Sequence, residues 1–281
     1  MRALLIADVH SNLPALEAVL AAGKKHAPER IISLGDQVNL GPCPRETLAL
    51  LHENNVTCLH GNHERYILSA MQGHPGFEGE NFASLRFNAS ILTPQEITFP
   101  GQMDVEGTTL CHALPGDDRF PVFDYAQAVV RLLQMDFGRP THIICGHGHN
   151  PTHISLPGIT IDSIGSVGCM DDGVPGTAPY VIAEFTPKGT FLRPHYAQYD
   201  TRRLRPLFKH GGMADFCPIM ARIACMQMEK NTDLLMQFVT LARSLSGDQN
   251  AAGVSRDVWQ KTDSVFPWPD GISTAEFWKN G

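Results

Sequence analysis

Residues 3–7 (Ala-Leu-Leu-Ile-Ala) form an unbroken apolar run that stops at Asp8, the pattern of a strand buried on both faces of a parallel sheet. The period then changes. Leu13, Leu16, Val19 and Leu20 recur at helical spacing, with Ser11 or Asn12 available as a cap and Pro14 in the first turn. A second strand over 31–34, a helix over 46–54 and a third strand over 56–59 extend this to βαβαβ. A parallel sheet with right-handed crossovers follows from that order. Residues 64–100 read as helices and loops, broken by Gly73, Pro75, Gly76 and Gly79. Strands over 108–112 and 141–145 flank a helix over 124–135. The runs 152–161, 178–185 and 190–197 read as shorter strands joined by Gly/Pro turns, which suggests a mixed second sheet. From about 205 the chain becomes Met- and Leu-rich at helical spacing, and a tail follows with Trp259, Trp268 and Trp278. The expected organisation is an α/β domain over 1–204 and a C-terminal helical extension over 205–281.

Composition narrows the classes. With 281 residues, 43% of them hydrophobic and 18% charged, the chain can bury a sizeable core and is not disordered. Twenty-two basic against 29 acidic side chains give −7, which argues against a nucleic-acid-binding surface. An anionic substrate stays open, because a bound metal reverses the local field. No apolar run approaches the ~18 residues of a membrane span, and the apolar start is too short for a signal-peptide core. Seven cysteines, an odd number without a CxxC pair, read as reduced thiols. The expectation is a cytoplasmic protein with no membrane partner. The Met-rich stretch (Met213, Met220, Met226, Met228, Met236) reads as a packing face, and the tryptophans as pins for the tail, either onto the body or onto a second subunit.

Thirteen histidines are the unusual feature. Several fall in five short polar clusters at or just beyond the ends of expected strands: Asp8-Val9-His10, Gly35-Asp36, Gly61-Asn62-His63-Glu64, His112, and Gly146-His147-Gly148-His149. Parallel strand ends lie on one sheet edge, where α/β proteins place their sites. Carboxylates, imidazoles and an amide without thiolates suit manganese, iron, zinc or cobalt better than calcium or a closed structural zinc. Seven ligands exceed what one open site needs and suffice for two metals sharing a carboxylate, with Asp36 as the natural bridge. Each cluster alone has a plainer reading: Asp8 and His10 as helix caps, Asp36 as a turn residue, His112 as a core histidine. His147 and His149 alternate along an extended segment, so both reach one metal pair only if the backbone bends. His60, His142 and His153 read as structural, and Arg65 and Arg119 are candidate phosphate contacts.

The series DxH, GDxx, GNHE, H and GHxH, in this order from Asp8 to about residue 197, resembles the calcineurin-like metallophosphoesterases. Gly35-Asp36-Gln37-Val38-Asn39-Leu40-Gly41-Pro42-Cys43-Pro44 and Ile164-Gly165-Ser166-Val167-Gly168 are similar to segments of the small bacterial and archaeal phosphodiesterase-like branch. The resemblance implies a four-layer αββα sandwich of two mixed β-sheets flanked by helices. It implies two divalent metal ions, manganese first, with iron, zinc, cobalt or nickel as alternatives. Asp8, His10, Asp36 and His149 would hold one ion; Asp36, Asn62, His112 and His147 would hold the other. His63 would be the acid that protonates the leaving oxygen, oriented by a nearby carboxylate.

The implied reaction is hydrolysis of a phosphodiester or phosphoanhydride in a nucleotide-like small molecule, including dinucleoside polyphosphates, by metal-activated hydroxide. Its expected partner is that small phosphoester, with self-association through the extension as a further expectation. Ala113 and Gly148 depart from the family's usual glycine and threonine. Asn39-Leu40-Gly41 stands where the phosphoprotein phosphatases carry an aspartate-arginine-glycine run, so phosphoprotein hydrolysis ranks lower. A non-catalytic scaffold on the same fold, like the retromer-type relatives, ranks lower still, because those lack the histidine that this chain keeps at position 63.

Overall fold

The computed structural model describes residues 1–119, 141–248 and 253–279; the helix expected over 124–135 lies outside them. The chain opens with β1 (Arg2–Ile6), α1 (Leu13–Gly23), β2 (Arg30–Ser33), α2 (Pro44–Glu53) and β3 (Thr57–Cys58). β1 pairs in parallel with β2, Leu4 against Ile31 and Leu5 against Ile32, and β2 with β3. Alternate β1 side chains serve opposite faces. Leu4 and Ile6 pack with Leu16, Val19 and Leu20 of α1, while Ala3 and Leu5 face the interior with Leu110, Ile144 and Ile164. Burial on both faces explains the unbroken apolar run.

α3 (Asn62–Met71) and α4 (Ala83–Ile91) follow, then a second sheet built from β4 (Gln102–Val105), β5 (Thr108–Cys111), β6 (His142–Cys145), β7 (Thr152–Leu156) and β8 (Ile159–Ser163). β9 (Thr177–Thr186) and β10 (Gly189–Gln198) form a long hairpin. The sheet orders are β10-β9-β1-β2-β3 and β4-β5-β6-β8-β7. The architecture is two mixed five-stranded sheets flanked by helices.

Three expectations change. The hairpin β9–β10 belongs to the first sheet, antiparallel to β1 with Leu4 against Ile182, because alternation along a strand does not name its neighbour. The run 152–161 is two strands, turned at Gly158, whose φ of +82° a glycine accepts without strain. β4 is additional, a half-exposed strand with weak apolar contrast.

Beyond β10 come α5 (Leu204–His210), α6 (Met213–Phe216), α7 (Pro218–Lys230), α8 (Leu234–Ser246), α9 (Arg256–Val265) and α10 (Thr274–Lys279). Met213, Met220, Met226 and Met228 share a core with Phe238, Trp259 and Trp268, and that core also takes in Leu40, Phe87 and Cys169. Met236 is half exposed and does not pack there. Trp278 donates from Nε1 to the Pro218 carbonyl at 3.0 Å, so all three tryptophans pin the tail to these helices. Arg222, unremarked in the sequence, is fully buried: Nη2 donates to Asp270 Oδ1 at 2.6 Å and to the Ile272 carbonyl at 2.9 Å, and the guanidinium lies 3.8 Å over Trp268. The seven cysteines are free thiols, six of them buried. Among the described residues no helix is long and apolar enough to cross a membrane.

Asp162 of β8 ties neighbouring strands together, accepting from His142 Nε2 and His153 Nδ1 at 2.7 Å each. Burial acts to raise its pKa, but these hydrogen bonds outweigh it and hold the carboxyl below its usual 3.8. A carboxylate so lowered adds stability that is complete above the unfolded pKa and is lost as pH falls through the folded one. Asp162→Asn is expected to lower the midpoint of denaturant unfolding near neutral pH, with the gap to wild type closing as pH drops below 3.8. A gap independent of pH would contradict this role.

Candidate metal centre

The clusters sit where β1, β2, β3, β5 and β6 end, and backbone hydrogen bonds lace their loops together. The Asp8 amide donates to the Gly35 carbonyl, the His10 amide to Asp36 and the Ser11 amide to Gln37, each at 3.0 Å. The Gly146 amide reaches the His112 carbonyl at 2.8 Å. From the glycine-serine segment, Ser166 Oγ donates to the Asp8 carbonyl at 2.8 Å. The backbone is left-handed at Asp8 (φ +51°), His10 (+49°), Asp36 (+55°), His147 (+62°) and His149 (+58°). Non-glycine residues avoid this region, and they persist there only when their surroundings over-determine them. The turns at His147 and His149 supply the bend that the GHxH segment needs. Two glycines permit the approach: a Cβ on Gly61 would overlap the Asp36 carboxylate, and one on Gly146 would sit 2.5 Å from Asp8 Oδ2.

All seven expected ligands converge. Asp8, His10, Asp36, Asn62 and His112 are buried, and His147 and His149 half-buried. Ligand atoms of Asp8, His10 and His149 lie within 4.8 Å of one another, as do those of Asp36, His112 and His147, and those of His10, Asp36 and His63. Asp36 Oδ2 is 3.2 Å from His112 Nε2, 3.8 Å from His63 Nε2 and 3.9 Å from His10 Nε2. Asn62 Oδ1 is 2.8 Å from His112 Nε2, and His10 Nε2 faces His149 Nε2 at 3.1 Å. The clusters overlap at His10 and Asp36, so Asp36 lies beside residues of both expected ligand sets.

Electrostatics say what such a place lacks. Among the described residues no lysine or arginine pairs with Asp8 or Asp36. Burial pushes the Asp8 carboxyl up to about 8. Burial also acts upward on Asp36, but His112 and His63 outweigh it and hold that carboxyl well below its usual range. His112 is the counterpart: burial opposes its protonation, and the Asp36 carboxylate overrides burial to raise it to about 10. Burial lowers His10, and brings His147 and His149 down to about 4, leaving neutral imidazoles with lone pairs to give. His10 Nδ1 is buried without a hydrogen-bond partner. Buried carboxylates, neutral imidazoles and one amide oxygen, with no thiol, fit divalent first-row metal ions.

Three supporting residues escaped the sequence reading. Glu64 is fully buried and accepts from the amides of Asp36 (3.0 Å), Val38 (3.2 Å) and Gly61 (2.9 Å), fastening two ligand loops to the start of α3. The signal was present: Glu64 stands three residues after Gly61, the capping-box position. Asn39 Nδ2 lies 2.5 Å from His63 Nδ1, so a side-chain amide holds this ring on one side, with the Asp36 carboxylate 3.8 Å from Nε2 on the other. Asn88 Oδ1 of α4 in turn accepts from the Asn39 backbone N–H at 3.2 Å. His142 and His153 serve Asp162, as structural histidines do, whereas His60 and Arg65 line a cavity beside His112. At the departures, Ala113 is fully buried, and the Gly148 turn is closed by 2.7 Å backbone bonds on either side.

A sequence model of calcineurin-like phosphoesterase matches residues 1–171. The chain is similar to an uncharacterized protein of Methanocaldococcus jannaschii, 41% identical over 64 residues, which are 23% of this chain and 26% of that one. It thus spans about a quarter of that curated relative's length. A metallophosphoesterase from Sphaerobacter thermophilus superposes at TM-score 0.64 and 23% identity, over 82% of this chain and 100% of that chain. A hypothetical protein from Pyrococcus horikoshii gives 0.59 and 16%, over 78% and 97%. The chain belongs to the calcineurin-like phosphoesterase family, a class of metal-dependent phosphoester hydrolases.

If Asp36 serves both ligand sets, Asp36→Asn purified with manganese retains less than half the wild-type metal by elemental analysis, while His63→Ala retains all of it. Equal metal in wild type and Asp36→Asn would contradict the bridging position.

Proposed function

We propose that the protein hydrolyses a phosphodiester or phosphoanhydride bond in a nucleotide-like small molecule. The observation that carries this reading is the Asp36 carboxylate, buried where three imidazoles from three loops meet and, among the described residues, paired with no lysine or arginine. Asp8, His10, Asp36 and His149 would hold one divalent ion, and Asp36, Asn62, His112 and His147 the other. Two such ions supply a water of lowered pKa and a clamp on the phosphoryl oxygens.

The chain's own contribution is position and a proton. His63 is one-fifth exposed at the edge of the cluster, so it faces both the ligands and the mouth. Asn39 fixes its Nδ1: the amide nitrogen donates to a neutral ring, and the rotated amide presents Oδ1 to an Nδ1–H. In either form Nε2 is left on the Asp36 side, placed to hand its proton to a leaving oxygen. Asn88 Oδ1 accepts from the Asn39 backbone N–H, so the loop that carries the amide is held from α4.

Leu40 supports a small substrate over a phosphoprotein. It occupies the stretch where phosphoprotein phosphatases carry their phosphate-clamping arginine, and it is buried in the core of the C-terminal helices. Retention of His63 favours catalysis over a scaffold role. Seven unpaired thiols support a reducing, cytoplasmic setting.

The direct assay loads manganese and compares an aryl phosphodiester, a phosphomonoester and a dinucleoside tetraphosphate. Turnover of at least one is expected, and none with metal bound would end the reading. His63→Ala should lose about 10²–10⁴-fold in kcat with metal retained. Asn39→Leu, which removes the hydrogen bond but not the ring, should lose a smaller part of kcat with KM little changed. A wild-type rate in His63→Ala would contradict the assignment of the acid.

A further inference from the structure

One of the two expected ligand sets is gripped from behind by a single short segment, the turn after β8. Ser166, fully buried there, donates its amide to the His149 carbonyl and its hydroxyl to the Asp8 carbonyl, each at 2.8 Å. The Val167 amide reaches the Ala7 carbonyl and the Gly168 amide the Asp8 carbonyl, each at 2.9 Å. Position 168 lies so close to the loop after β1 that a Cβ there would sit 2.0 Å from the Val9 carbonyl oxygen. Asp8 and His149, the two residues whose carbonyls Ser166 holds, both have left-handed backbone, at φ +51° and +58°. Such residues stay in place only under restraint from their surroundings.

The segment is itself tied to the C-terminal helices. Cys169, in their core, donates its amide to Ser166 Oγ at 2.8 Å. Asn12, the cap of α1, donates from Nδ2 to the Gly168 carbonyl at 3.0 Å and to the Tyr199 hydroxyl at 3.4 Å. That hydroxyl donates in turn to the Met228 carbonyl of α7 at 3.0 Å. The other ligand set has separate supports. Asn62 opens α3, where Glu64 accepts from the Gly61 amide at 2.9 Å, and His112 donates from Nδ1 to the Leu34 carbonyl at 2.9 Å. A bond does cross between the sets, from the His147 amide to Asp8 Oδ2 at 3.0 Å, but it restrains backbone and not the His147 ring.

We propose that Ser166 is a positioning residue for one ion of the pair. Through the carbonyls of Asp8 and His149 it sets the affinity of the ion that Asp8, His10 and His149 would hold, and it leaves the ion beside Asn62 and His112 unaffected. The proposal rests on the two-ion reading above and deepens it: through Cys169 and Tyr199, the C-terminal helices bear on the loading of that one ion.

The test is titration of the metal-free protein with manganese, the ions being counted by elemental analysis and located by anomalous diffraction. Wild type is expected to hold two ions per chain. Ser166→Ala should weaken one of them by about 10–100-fold, the usual effect of removing a hydrogen-bonded support of a metal ligand, so that at limiting manganese the remaining peak lies beside His112 and Asn62. Ser166→Thr, which keeps the hydroxyl, should restore the pair, and His149→Ala should reproduce the loss. A merely structural serine would lower the urea midpoint of the metal-free protein and leave the ratio of the two affinities as in wild type. That unchanged ratio overturns the proposal, as does selective loss of the ion at His112. Should Ser166→Ala not fold, Tyr199→Phe, which releases Asn12 from α7, is read in its place: a smaller loss of the same ion is expected, and no change overturns the proposal. Fewer than two ions in wild type at saturating manganese ends the two-ion reading and takes this one along; two ions there, with the ratio unchanged in the variant, sink this one alone.

Discussion

Two carboxyl groups, Asp8 and Asp36, are buried among histidines, and among the described residues no lysine or arginine pairs with them. Burying an unpaired carboxylate is costly, and imidazoles whose own burial keeps them neutral give little back. Only His112 takes on charge beside Asp36, and it answers for one carboxylate of the two. The rest of the fold holds this arrangement against its tendency to relax. Five ligand residues sit in left-handed backbone, the loops after β1 and β2 are laced amide to carbonyl, and Glu64 gathers three amides beneath them. Cations at this point turn the cost into binding energy.

The C-terminal helices take part in that support. Leu40, on the loop carrying Asp36, and Cys169, beyond the segment that clasps Asp8, are both buried in the core of α5–α10. Cys169 also donates its amide to Ser166 Oγ, which itself holds the Asp8 carbonyl. The helices thus brace two ligand loops from behind.

The parts legible in the sequence were those with a local cause. The βαβαβ start showed in the apolar run at 3–7 and the helical spacing that follows, because both faces of β1 are buried. The candidate ligand cluster showed because acidic residues and histidines after apolar strands have few structural uses, and five such clusters in order have fewer still. Long-range pairing stayed hidden: nothing in 177–198 says that β9 returns to lie against β1. Buried polar supports were hidden for the same reason. Arg222 looks like any helical arginine until Asp270 and Trp268 close on it, and Asn39 looks like a loop residue until His63 arrives 2.5 Å away.

Anomalous diffraction at the manganese edge, from crystals grown with the metal, tests the centre most directly. Two peaks about 3.5–4 Å apart, with Asp36 between them and His149 and His147 on opposite sides, are the expected result. Density for metal elsewhere, or these imidazoles turned away from an empty cluster at saturating manganese, would contradict it.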